Sequence, residues 1–315
     1  MGATHDGFSA RDYGSPGAAG GAPGTGRTSA GPVRRSFRAR AARWFGGCFY
    51  ACGNEPLPGR IRCLDGEYTL DRILKHDFMA ATAVYRAVDP QAGRPGKLVY
   101  KLNRRMHFCL VPLGWLGRLV THNEIRNLRR CEGIREVPQV LARLHPNVYV
   151  CEYIEGKNLG EKPDLPDDYF ENVLAAVRRI HARNLIHFDL HKPGNLLVGD
   201  DGRPHIIDFQ ISMHFGDRLL LSRRLSSAVR RRLQAYDIYH VCKHKRRLQP
   251  HLLTEDETRL SRNRSLPLRM HRALANPLRR VRRACLRYLH AKGILTNDET
   301  SRASAETDPT RWARK

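Results

Sequence analysis

The chain has 315 residues, of which 41% are hydrophobic and 27% charged, proportions that exclude wholesale disorder and suffice for one large domain or two lobes. No stretch approaches the roughly 18 uncharged apolar residues that a membrane-spanning helix needs. With 55 Lys+Arg against 31 Asp+Glu the formal net charge is +24, so anions are the expected partners: nucleic acid, anionic lipid or a phosphate-bearing ligand.

Residues 1–45 are rich in Gly, Ala, Ser, Pro and Arg and lack aliphatic periodicity. Such a stretch cannot bury enough apolar surface to offset the entropy of ordering, and it is expected to be a disordered basic arm. It holds no apolar run of the signal-peptide kind, and Asp6 stands where an acylation motif wants Ser or Thr. A cytoplasmic location is therefore expected. Of the eight cysteines, Cys48, Cys52 and Cys63 lie near one another, but no matching Cys or His pair completes a zinc spacing. Reduced, mostly buried thiols are expected.

Apolar and β-branched residues over 69–87 and 97–102 read as strands, separated by the turn-rich segment 89–96. A helix is expected over about 121–131, and an alternating strand over 147–154. From 167 to 182, Phe170, Val173, Leu174, Val177 and Ile180 recur at helical spacing. Asp167, Asp168 and Glu171 near its start and Arg178, Arg179 and Arg183 near its end suit the helix dipole. Two short strands follow at 195–198 and 204–207, and beyond residue 219 the chain reads as helical and basic. Strands first and helices later predict a small β-rich lobe followed by a larger helical one.

The informative stretch is His187-Phe188-Asp189-Leu190-His191-Lys192-Pro193-Gly194-Asn195, with Asp208 following in Ile207-Asp208-Phe209-Gln210. Alone, an Asp after a helix is usually a cap, and an Asp ending a strand usually a turn residue. Together they set two carboxylates and a carboxamide around one hairpin, with a lysine between them. That is equipment for holding a divalent metal on a polyphosphate and accepting a hydroxyl proton.

The segment resembles the catalytic loop and metal-binding motif of the protein-kinase-like superfamily, H-R-D-L-K-P-x-N and D-F-G. The resemblance implies an α+β, two-lobed fold: a β-rich N-lobe over 60–155, a helical C-lobe with a basic extension over 156–296, and a flexible tail over 297–315. It implies ATP and Mg2+, with Asp189 as catalytic base, Lys192 beside the transferred phosphoryl group, and Asn195 and Asp208 as metal ligands. Leu98-Val99-Tyr100-Lys101 resembles the third-strand V-A-I-K, which implies that Lys101 contacts the α- and β-phosphates. Glu124 is then its expected partner on the following helix, although an exposed helix-surface Glu is the ordinary reading of that residue alone. Cys151-Glu152-Tyr153-Ile154 fits the adenine-holding hinge, which brings Glu152 and Ile154 into the ATP site.

Four departures from the pattern matter. The glycine-rich phosphate loop is replaced by a segment in which small Ala80, Ala81 and Thr82 are left to cover phosphate with their amides. Asp189 and Asn195 are six residues apart rather than five, His191 being the apparent extra residue. Gln210 stands in place of the motif glycine, restricting the backbone there. Phe188 replaces the arginine that pairs with a phosphorylated activation loop, and only about two dozen residues separate Asp208 from the next helix. In these respects the chain is similar to compact bacterial RIO-like and lipopolysaccharide-sugar kinases.

The acceptor stays open between a protein serine/threonine hydroxyl, which Lys192 favours, and a lipopolysaccharide-core sugar or other glycolipid. A nucleotide-binding pseudokinase scaffold is the alternative from another class. Over residues 211–293 there are 21 Lys+Arg against 5 Asp+Glu, read either as a solvated basic face or as a surface for an anionic partner. No RRM strand or zinc-finger pattern accompanies it, which argues against nucleic acid. The apolar stretch 106–120 reads as core packing or as a peripheral contact with an anionic membrane at its inner face.

Overall fold

The computed structural model describes residues 47–108, 111–216 and 222–262. The expected arm and tail, and most of the C-terminal basic extension, lie outside the described residues.

Six antiparallel strands form the first layer: β1 (Arg60–Cys63), β2 (Gly66–His76), β3 (Ala80–Ala87), β4 (Lys97–Asn103), β5 (Val140–His145) and β6 (Val148–Glu152), in the order β1-β2-β3-β4-β6-β5. Register decides which side chains share a face, because directly opposed residues point the same way. Lys75 lies opposite Thr82, Thr82 opposite Lys101, and Lys101 opposite Tyr149. These four line one face. Their neighbours Ala81, Ala83, Tyr100, Leu102, Val148 and Val150 line the other, where they pack with Ala51, Tyr68, Tyr85 and Leu98.

Within the stretch 69–87, expected as strand, the chain turns back at residues 77–79 to make β2 and β3. That turn contains neither Gly nor Pro. Asp77 supplies the missing turn chemistry: its Oδ1 accepts the amides of Met79 and Ala80 at 2.8 and 2.9 Å.

The helix expected from 121 begins earlier, as α1 (Gly114–Arg130). Gly117 is needed for contact: a Cβ there would stand 1.9 Å from the carbonyl oxygen of Arg104. The glycine lets α1 lie directly against the end of β4. Half of the apolar stretch 106–120 is therefore helix. Val111, Trp115 and Leu119 remain exposed, so core packing accounts for only part of it.

The second lobe is built on α2 (Tyr169–Ala182), α3 (Arg223–Leu248) and α4 (Glu255–Arg262). The apolar stripe of α2 is fully used: Phe170, Val173, Leu174, Val177 and Ile180 are all buried in one core with Leu190, Leu196, Ile206 and Phe209. Each such side chain contributes about 1.5–3 kcal/mol relative to exposure. Short strands carry the loops of the site: β7 (Gly156–Asn158), β9 (Leu196–Gly199) and β10 (Pro204–Ile206) form one sheet, and β8 (Leu185–Ile186) pairs with β11 (Met213–His214). The result is the mixed α+β, two-lobed architecture that the motif resemblance implies.

The basic run 243–247 departs from a uniformly solvated face. Lys245 is buried and donates to both carboxylate oxygens of Glu257 at 2.9 and 3.0 Å, and Arg246 donates to the Ser261 carbonyl. Cys48, Cys52, Cys131, Cys151 and Cys242 are free and buried, and Cys63 is free and half-buried. Among the described residues, no helix is long and apolar enough to cross a membrane.

Candidate active site

Lys101, central in β4, donates to Glu124 Oε1 at 2.6 Å and to Asp208 Oδ1 at 2.7 Å. Each partner comes from a separate element, Glu124 from α1 and Asp208 from the turn after β10. Glu124 is fully buried and also takes the Tyr149 hydroxyl. Burial opposes charge on Lys101, but the two carboxylates outweigh it and hold the ammonium protonated well above the usual lysine range. Burial likewise pushes Asp208 upward, yet Lys101, Lys75 and Lys192 together hold its carboxyl far below the usual range. Asp208 is thus an anion throughout the physiological range, at φ +65. A non-glycine residue in that left-handed region is strained and needs surroundings that over-determine it.

The segment 187–195 is anchored from below. Asp237 of α3, fully buried, accepts the amides of His187 at 2.8 Å and Phe188 at 2.9 Å, and pairs with His181 Nε2 at 3.0 Å. It thereby fixes Phe188 at φ +64. His187 Nε2 donates to the Ile207 carbonyl at 3.0 Å, joining this loop to the residue before Asp208. Above the anchor, Lys192 Nζ donates to Asp189 Oδ2 at 2.6 Å and His191 Nδ1 lies 3.2 Å from Asp189 Oδ1. Asn195 Nδ2 donates to the Asp189 carbonyl at 3.1 Å, which turns its Oδ1 to the opposite side of the amide.

Asn195 Oδ1 and the Asp208 carboxylate are hard oxygen donors of the kind that hold Mg2+ together with phosphate oxygens. Among the described residues no three His, Cys, Asp or Glu side chains form a metal cage on their own. A cation held by these two residues would need further ligands from a phosphate-bearing partner and water. The residues present fit Mg2+ on a nucleotide.

Of the three small residues expected to cover phosphate, Ala80 and Ala81 are buried, and the Ala80 amide is engaged by Asp77. Thr82 stands on the cleft face beside Lys101. Glu152 lies at the end of β6, where its amide and Oε2 bond the backbone of Gln139; Ile154 follows in the connection to β7. Val84, Val99 and Cys151, opposed in register, give the same face an apolar floor next to this hinge. Burial pushes the Cys151 thiol up to about 12, so it is a neutral packing group.

Sequence reasoning missed Asp237, Asn103 and the role of His191. Asp237 sits in a polar helix among arginines, where nothing distinguishes it. Asn103, fully buried, donates to Thr121 Oγ1 at 2.9 Å and receives Gln210 Nε2 at 2.8 Å. Its position two residues after Lys101 was the only available signal.

Residues 136–249 match the family model described as Lipopolysaccharide core biosynthesis protein (WaaY). CBL-interacting protein kinase 19 of Oryza sativa subsp. japonica is 33% identical over 157 residues, 47% of this chain and 29% of that protein. CBL-interacting serine/threonine-protein kinase 16 of Arabidopsis thaliana is 31% identical over 122 residues, 36% of this chain and 26% of that protein. Serine/threonine-protein kinase GRIK1 of Arabidopsis thaliana is 32% identical over 108 residues, 27% of each chain. The chain spans less than a third of the length of these relatives. The likeness to kinases over part of the chain, the two-lobed architecture and the meeting of strand lysine, helix glutamate and post-loop aspartate all support assignment to the protein-kinase-like superfamily.

Proposed function

We propose that the protein is an ATP-dependent phosphotransferase that moves the γ-phosphoryl group of Mg-ATP to a hydroxyl acceptor. What supports this most directly is the position of Lys101, held between buried Glu124 and Asp208 on the face that also carries Thr82 and an apolar floor. In this reading Lys101 holds the α- and β-phosphates, and Glu124 keeps its ammonium in place. Asn195 and Asp208 hold Mg2+, which when bound neutralises charge on the polyphosphate. Asp189 orients the acceptor hydroxyl and takes its proton, and Lys192 offsets charge on the transferred group. Catalysis of this type rests on positioning and electrostatics, which these few residues supply. The cytoplasm, where ATP is available, is the location that belongs to this proposal.

For the acceptor we propose a protein serine or threonine hydroxyl. The Lys192–Asp189 contact and the serine/threonine kinases among the relatives support it. A second reading, a lipopolysaccharide-core sugar or other glycolipid, is favoured by the match over residues 136–249. It also draws on exposed Val111, Trp115 and Leu119 beside Arg118, a surface suited to an anionic membrane. Helix α3 begins at Arg223, 15 residues after Asp208, which leaves little room for a peptide-binding activation segment.

Magnesium-dependent transfer from γ-labelled ATP, with wild type beside Asp189→Asn, tests the reading. Incubations contain the protein alone, a basic protein mixture or a cell-envelope lipid extract. Label moved by wild type only establishes the kinase, and the labelled fraction identifies the acceptor class. Tight ATP binding without transfer would replace it with the scaffold.

A further inference from the structure

A glycine-rich loop covers phosphates with its backbone amides. The turn joining β2 to β3 uses its amides otherwise. Met79 and Ala80 donate to Asp77 Oδ1 at 2.8 and 2.9 Å, and the Asp77 amide donates to the Ala80 carbonyl at 2.9 Å. Arg104, fully buried, clamps the tip from behind: its guanidinium donates to the Phe78 carbonyl at 2.7 Å and lies 3.9 Å from the Phe78 ring centroid. The same guanidinium donates to the Cys48 carbonyl at 2.7 Å. The amides of Asp77, Met79 and Ala80 are thus engaged within the turn, which favours a side chain as the donor to the outer phosphates.

One lysine has the right place. Lys75 lies opposite Thr82, which lies opposite Lys101, so all three point to the cleft face from successive strands. The two lysine backbones are two strand spacings apart, roughly 10 Å, a span that the polyphosphate of a nucleotide can bridge between two long cationic side chains. Lys75 Nζ sits 2.8 Å from Asp77 Oδ2. Asp77 thus grips the turn with one oxygen and aims the lysine with the other. An ammonium has three donors, so holding Asp77 leaves it able to take phosphate oxygens as well.

We infer that Lys75 binds the β- and γ-phosphates of the nucleotide, a side-chain replacement for the absent glycine-rich loop, with Asp77 as its positioning residue. The inference rests on the phosphotransferase reading and assigns within it where the outer phosphates are held.

The test compares dissociation constants of Mg-ATP and AMP for wild type, Lys75→Met and Lys75→Arg by isothermal titration calorimetry. The Lys75 side chain is 37% exposed, so the methionine variant is expected to fold, and its melting temperature checks this. Lys75→Met should weaken Mg-ATP roughly tenfold to a hundredfold, as loss of a charge-assisted contact does, while AMP changes by less than about twofold. Lys75→Arg should recover most of the Mg-ATP affinity and covers the case in which the methionine variant is unstable. Unchanged Mg-ATP binding in Lys75→Met, or equal weakening of ATP and AMP, overturns the inference while leaving the phosphotransferase reading intact. A wild-type protein that binds neither nucleotide overturns both.

Discussion

Gln210 Nε2 donates to Asn103 Oδ1 at 2.8 Å, tying the turn that carries Asp208 to the strand that carries Lys101. The same turn is held from α1, where Asn123 and Asn127 donate to the Ser212 carbonyl at 2.9 and 3.0 Å. Glu124 lies between those two asparagines in sequence. One helix therefore grips both Lys101 and the segment after Asp208, and the glutamine that replaces the motif glycine completes the lock. Replacing Gln210 by Gly leaves a buried acceptor on Asn103 without its donor, at a cost of about 1–3 kcal/mol. Thermal unfolding should show a melting temperature lower by several degrees, with faster amide exchange over residues 208–214. An unchanged melt would contradict the lock.

Lys101 neutralises two carboxylates at once. Lys101→Met leaves Glu124 and Asp208 without their shared cation, and a loss of about 3–5 kcal/mol is expected from breaking such a buried cluster. Asp208→Ala removes one of the two anions instead and should be milder in denaturant, while abolishing turnover and magnesium-dependent nucleotide binding. Near-normal activity of Asp208→Ala would refute its assignment as a metal ligand.

Asp237 supports the loop that bears Asp189 from the far side. Asp237→Ala strips the acceptor from two backbone amides next to a residue at positive φ, with an expected loss of about 3 kcal/mol in urea unfolding and a matching fall in turnover. Asp237→Asn keeps one acceptor oxygen and should fall between alanine and wild type. Equal stability of all three proteins would show that the anchor is dispensable.

His244, buried in α3, donates through Nε2 to the Leu190 carbonyl at 3.0 Å. Burial first, with nearby Lys243 and Arg247, lowers its pKa from 6.5 to about 4 despite that hydrogen bond. The unfolded chain then binds the proton more readily than the folded one. The contribution to stability is complete above about pH 6.5 and is lost as the pH falls towards 4, up to about 3 kcal/mol in all. His244→Gln should flatten that part of the stability profile, measured by denaturant midpoints at pH 7 and 4.5. Parallel profiles for the two proteins would rule His244 out as the source.

Asp189, Lys192, Asn195 and Asp208 could be singled out in the sequence because their short, fixed spacings resemble kinase motifs, and Lys101 because its strand resembles the third-strand motif. The stripe of α2 was equally readable, since a helix that buries one face repeats its apolar residues every three to four positions. Short-range signals failed where a contact from elsewhere in the chain set the local structure. The helix was expected only from about 121, but α1 begins at Gly114, where Gly117 lets it approach the Arg104 carbonyl. The reversal at residues 77–79 carries no glycine because an aspartate side chain does the work of one.

By itself, then, the sequence determined the order of strands and helices through periodicity, and it singled out the motif residues through their resemblance to protein-kinase-like motifs. Only the tertiary structure decided that Lys101 would be shared between Glu124 and Asp208, that Asp237 would hold the loop bearing Asp189, and that Lys75 would stand on the same face as Lys101. Those relations depend on strand register and on burial, which bring together residues as far apart as Lys101 and Asp208 and make their charges matter by removing water from between them.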